Sequence, residues 1–163
     1  MARAWHRVRQ FFGALRPRVT AEERALAYAF LTPELQRLFE TMTLRDQAHG
    51  IAVLRRVHAE AGDDAALCAA ALLHDCGKGD VRTWQRVAFV LLGTAPGLRA
   101  RIASQEGAGW RRALWRLQEH PALGAALAEE AGAAPDVVRM IREQDSPPGG
   151  DRRLALLQAA DNA

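Results

Sequence analysis

Apolar residues recur along this chain three and four positions apart and nowhere alternate over a useful length, so the pattern predicts helices and no sheet. Trp5, Val8, Phe12 and Leu15 share one helical stripe within residues 2–15, with Arg3, Arg7 and Arg9 among them. A basic amphipathic helix of that kind can lie on an anionic membrane as a peripheral contact; the reading favoured is a helix packed on its own domain. Thr20 followed by Glu23 forms a capping box and predicts a helix over 21–30. Thr32-Pro33 opens the next helix, with proline at its preferred first position. Thr43 begins a longer helix that ends near Gly62.

Asp63 or Asp64 caps the segment 65–73, which is apolar on every side and therefore belongs at the centre of the molecule. Another helix is predicted over 81–92, with Phe89, Val90, Leu91 and Leu92 in the core. The glycine-rich stretch 93–109 predicts a short helix between loops. Segments 110–117, 121–131 and 135–143 read as three further helices. After the break Ser146-Pro147-Pro148-Gly149-Gly150, Asp151 caps a last helix that runs to about Asp161. No repeat and no long linker divides the chain. The expectation is a single-domain, all-α helical bundle, with N-terminal helices in residues 1–42 packed on a core formed by 43–163.

Composition agrees with that picture. The 163 residues are 49% apolar and 25% charged, the balance of a globular protein large enough to build a core without disulfides. Cys68 and Cys76 stand eight positions apart, about 12 Å along a helix, too far for a disulfide. They read as small core residues of a reducing compartment. With no apolar run long enough to span a bilayer and no signal-peptide pattern, a cytoplasmic location is expected. Of the 22 cationic residues every one is arginine except Lys78. The arginines are dispersed among acidic residues with little aromatic interleaving, which argues against a nucleic-acid binder.

The chemistry-bearing residues lie at helix ends. His49 shares its stripe with Val53 and Val57 and so points inwards, whereas His58 falls half a turn away and belongs to the surface. His74-Asp75 closes the wholly apolar segment, where an unpaired carboxylate would cost several kcal/mol. Asp161 shares a stripe with Leu154 and Leu157, which turns a second carboxylate towards the core. Two histidines and two aspartates aimed into one bundle suit a divalent cation; the structural alternative is buried pairing with arginine.

In order, His49, His74-Asp75 and Asp161 form an H…HD…D pattern that resembles the HD-domain superfamily of metal-dependent phosphohydrolases. His74-Asp75-Cys76-Gly77-Lys78 is similar to the HD-x-G-K variant of that family. His120-Pro121-Ala122-Leu123-Gly124-Ala125 resembles the HPxxGA segment of HD-GYP-like members, and Ala159-Ala160-Asp161 resembles their closing motif. The resemblance extends from about Arg45 to Asp161. It implies an HD-type bundle and a metal held by His49, His74, Asp75 and Asp161, with Asp75 bridging if two ions bind. His120 matches a ligand of the second site. The tandem histidines of HD-GYP-like members are absent, since residues 143–145 read Glu143-Gln144-Asp145, and so is the GYP signature.

The expected function is that of a metal-dependent phosphohydrolase acting on a phosphate ester of a small phosphorylated substrate, a nucleotide above all. Asp75 would hold the attacking water and accept its proton. Lys78 would reach a phosphate oxygen as a mobile point charge, with Gly77 leaving room for the approach. Arg45 and Gln47 are candidate phosphate or leaving-group contacts, with plain solvent exposure as the alternative. One firmly held divalent ion is expected, without distinction among Mn, Fe, Mg, Co, Ni and Zn. His120 is expected near the open side of the site, where it would contact the substrate phosphate or complete a weak second metal site. The rival reading is an HD-fold regulatory or ligand-binding module that has lost turnover.

Overall fold

Five of the helix starts among the described residues are set by local side chains that satisfy the first free N–H groups. The computed structural model describes residues 18–92 and 102–163, with only the backbone of Thr83 and Val90. Among these residues there are eight α-helices and one short 3-10 turn. They are α1 Ala21–Tyr28, α2 Pro33–Thr41, α3 Leu44–Ala61, α4 Ala65–Leu73, the 3-10 turn Cys76–Lys78, α5 Thr83–Leu92, α6 Trp110–Glu130, α7 Pro135–Glu143 and α8 Arg152–Asp161. The stripe expected over 2–15 lies outside the described residues, as does the 93–101 part of the segment given a short helix.

The side chain of Thr20 accepts from the Glu23 N–H at 3.2 Å while the Glu23 carboxylate accepts from the Thr20 N–H at 3.1 Å, a complete capping box. The side chains of Thr32, Thr43, Asp64 and Asp151 cap α2, α3, α4 and α8 by accepting from a first-turn N–H, without the reciprocal bond. Gly62 ends α3 with φ +64°, a conformation that strains any residue with a Cβ.

Helix α4 is the centre, as its composition predicts. Every residue from Leu67 to Leu73 is buried, and α3, α7 and α8 pack around it. Gly50 is what lets α3 come close: a Cβ there would sit 2.7 Å from the Leu72 carbonyl oxygen. Ala27, Leu31, Leu35 and Phe39 from the N-terminal helices enter the same core. A smaller cluster of Val81, Ala113 and Leu117, with Phe89 packed against it, joins α5 to α6.

Two expectations about elements are corrected. The helices assigned to 110–117 and 121–131 are one helix, α6, with Pro121 inside it. Proline has no N–H for the Leu117 carbonyl, which would normally break the ladder. Here the Nδ1–H of His120 donates to that oxygen at 2.8 Å and replaces the missing bond. The core placement of residues 89–92 fails at Leu91, which is 67% exposed, while Phe89 packs inwards. Positions i and i+2 of a helix diverge by about 200°, so both cannot face one side.

Candidate metal centre

The site forms where the C-terminal end of α4 meets the N-terminal half of α3 and the last turn of α8. His74 follows the final residue of α4 and is 1% exposed. Its Nδ1–H donates to the Ala71 carbonyl at 2.9 Å, since a carbonyl can only accept. That bond fixes the ring and aims Nε2 into the site, an arrangement typical of metal-ligating histidines.

Around Nε2 of His74 stand two carboxylates, Asp161 Oδ1 at 3.3 Å and Asp75 Oδ1 at 3.4 Å. Neither geometry makes a hydrogen bond, so Nε2 is buried with no hydrogen-bond partner. His49, on the exposed end of its stripe, brings Nε2 to 2.7 Å from Asp161 Oδ1. The rings of His49 and His74 lie edge to face, 5.2 Å apart. One ligand atom from each of His49, His74 and Asp161 falls within 4.8 Å of the others, so this group could hold a metal ion.

The fourth residue expected as a ligand, Asp75, sits beside that trio. It is 2% exposed; its Oδ2 accepts from Lys78 Nζ at 2.6 Å, and its Oδ1 is 3.7 Å from His120 Nε2. Lys78 is thus an ion-pair partner of Asp75, where the sequence suggested a freely reaching charge. The side of the site towards solvent is formed by His49 and Asp161, whose side chains are 36% and 38% exposed. The His120 side chain is 12% exposed.

The electrostatics favour a cation at the centre. Burial alone would push the His74 pKa down, but Asp75 and Asp161 outweigh it and the net shift is upward. Burial likewise works against the Asp75 carboxylate, yet His74 and Lys78 hold its pKa below the usual range. The hydrogen bond from His49, with the His74 ring close by, holds Asp161 well below that range. His120 is pushed down by burial and then by Lys78, which keeps its ring neutral. The carboxylates thus stabilise a positive charge next to His74 Nε2, whether a proton on that nitrogen or a metal ion in its place. A buried, orphaned imidazole nitrogen, a second imidazole and two carboxylates form a donor set that fits a borderline divalent cation.

Arg45 is exposed on the first turn of α3, four residues before His49. Gln47 is neither a phosphate contact nor solvent-exposed: it is 4% exposed, and its Nε2 donates to the Met42 carbonyl at 2.9 Å. Its position on α3 turns it to the core. Gly77 leaves room not for phosphate but for α6, because a Cβ there would lie 2.1 Å from the His120 carbonyl oxygen. The Cys76 thiol turns away from the site towards the Gly124 carbonyl, and burial raises its pKa to about 12. Buried pairing with arginine does occur, but at Asp46, which receives two 2.7 Å bonds from Arg86.

Three residues that sequence reasoning missed hold the site from outside. Gln144, at the place of the absent histidines, is 8% exposed and donates from Nε2 to the His74 carbonyl at 2.8 Å. Arg56 of α3 donates to the Ala160 carbonyl at 2.9 Å, next to Asp161. Arg116 of α6 donates to the Gly77 carbonyl at 3.1 Å. Each satisfies a carbonyl at a helix end or turn that has no partner in its own element. Comparison of the chain with models of known protein families, with curated proteins and with solved structures returns no match.

Proposed function

We propose that this protein is a metal-dependent phosphohydrolase of the HD type that cleaves a phosphate ester, with nucleotides the first substrate class to assay. The observation that carries the reading is the buried Nε2 of His74, orphaned between Asp75 and Asp161 with His49 beside them. His49, His74, Asp75 and Asp161 would hold the ion. When bound, a divalent cation supplies Lewis-acid charge to a phosphoryl oxygen and makes water more acidic.

The chain's own groups supply the rest. Asp75 would orient water through its Oδ1 edge, while Lys78 neutralises its Oδ2 edge. His120 has its hydrogen on Nδ1, bound to Leu117, so Nε2 keeps a lone pair 3.7 Å from Asp75 Oδ1. A neutral imidazole in that position can take a proton passed by Asp75. The paired state of Lys78 favours a second reading, a ligand-binding module without turnover, because that lysine must leave Asp75 to reach a substrate.

The test is phosphate release from a panel of nucleotides and simple phosphate esters, with Mn²⁺, Co²⁺ or Mg²⁺ added to chelator-treated protein. Release that depends on metal and is abolished in Asp75→Asn supports the hydrolase. Tight metal and nucleotide binding without release supports the binding module instead.

A further inference from the structure

Helix α5 turns a large apolar surface to solvent. Trp84 is 53% exposed, Val87 51% and Leu91 67%, and their spacing places the three on one stripe of the helix. Trp110, at the start of the neighbouring α6, is 41% exposed. Only Leu44 joins them among the exposed large hydrophobics of the described residues. Most of the exposed apolar side chains therefore sit on two packed helices.

Charge is concentrated on the same stretch. The described residues of 81–92 and 102–117 include five arginines, Arg82, Arg86, Arg111, Arg112 and Arg116, and a single acidic residue, Glu106. One of these arginines, Arg86, is neutralised by Asp46, and Arg116 bonds the Gly77 carbonyl. Arg82, just before α5, and Arg111 and Arg112, in the first turn of α6, are exposed and close in sequence to Trp84 and Trp110, Arg111 also donating from Nε to the Ile102 carbonyl at 3.0 Å.

We propose that the α5–α6 face docks on an anionic lipid surface. Tryptophan is favoured at the boundary of water and hydrocarbon, aliphatic side chains gain by entering the acyl region, and arginines next to them meet anionic headgroups. Val87 and Leu91 separate this occupant from a single-stranded nucleic acid, which would use the tryptophans and arginines but gains nothing from an aliphatic stripe. The inference does not depend on the hydrolase reading.

Co-sedimentation of the full chain with vesicles, together with its tryptophan fluorescence, tests the proposal. Vesicles of phosphatidylcholine with phosphatidylglycerol should bind the protein and shift its emission to the blue, and added salt should weaken the binding. Vesicles of phosphatidylcholine alone should bind it poorly. The Arg82→Glu/Arg112→Glu variant should lose at least about thirtyfold in affinity, from two cations removed at the surface and two anions added. Glutamate suits the first turn of a helix, so the fold should persist and circular dichroism can confirm it. Trp84→Ser/Val87→Ser should bind weakly and lose most of the blue shift. Absence of vesicle binding would overturn the proposal. So would binding unchanged in both variants, which would place the contact elsewhere, for example in residues 2–15. Preferential binding of a single-stranded oligonucleotide, weakened by the same substitutions, would assign the face to nucleic acid and also overturn it.

Discussion

At the scale of single residues, the site is organised by where each imidazole keeps its hydrogen. His74 and His120 both give Nδ1–H to a carbonyl three residues back, which leaves Nε2 of each turned towards Asp75. The raised pKa of His74 links metal binding to pH. A proton on Nε2 stabilises the metal-free fold below the ordinary histidine pKa of 6.5, and that stabilisation is lost as pH rises through the raised value. A metal ion must displace this proton, so affinity should rise with pH. Titration of Mn²⁺ into chelator-treated protein should show affinity falling by up to about tenfold per pH unit once pH drops below the His74 pKa. A pH-independent affinity through neutrality would show that His74 is not a ligand. His120→Ala is expected to lower turnover by about a hundredfold while metal content stays unchanged, because His120 faces Asp75 and not the His49–His74–Asp161 group. Metal analysis beside initial rates checks both halves of that expectation.

At the scale of elements, the packing of α6 on the 3-10 turn fixes where Asp75 and Lys78 stand. Gly77 is the point of closest approach, with its would-be Cβ 2.1 Å from one backbone atom of α6 and 2.6 Å from another. Gly77→Ala should therefore push α6 off the turn and destabilise the protein by at least about 2 kcal/mol in urea unfolding. A loss under half of that would mean the turn can yield.

Helix starts were legible from sequence because Thr20, Thr32, Thr43, Asp64 and Asp151 serve N–H groups two or three residues away. The continuity of α6 through Pro121 was not, because it depends on a side-chain bond that no periodicity records. The same limit applies to the site. His49, His74, Asp75 and Asp161 stood out as polar residues on apolar stripes. Gln144, Arg56 and Arg116 did not, since each serves a carbonyl at least 39 positions distant. Nothing in a local window marks a glutamine as the partner of a helix end that far away.

At the scale of the whole molecule, an apolar helix runs through the centre and ends in a histidine and an aspartate, both buried. The surrounding helices supply the other groups and cap the carbonyls that the end leaves free. No helix among the described residues is long and apolar enough to cross a membrane. The arrangement brings two carboxylates to one end of a bundle, and a divalent cation is the counterpart we propose for the group that could hold one. The most direct test is the stoichiometry of Mn²⁺ bound by the chelator-treated protein, read by electron paramagnetic resonance and repeated on His74→Ala. The account predicts one tightly bound ion per chain and none in the variant. No bound ion in the native protein, or an ion retained by His74→Ala, would contradict it.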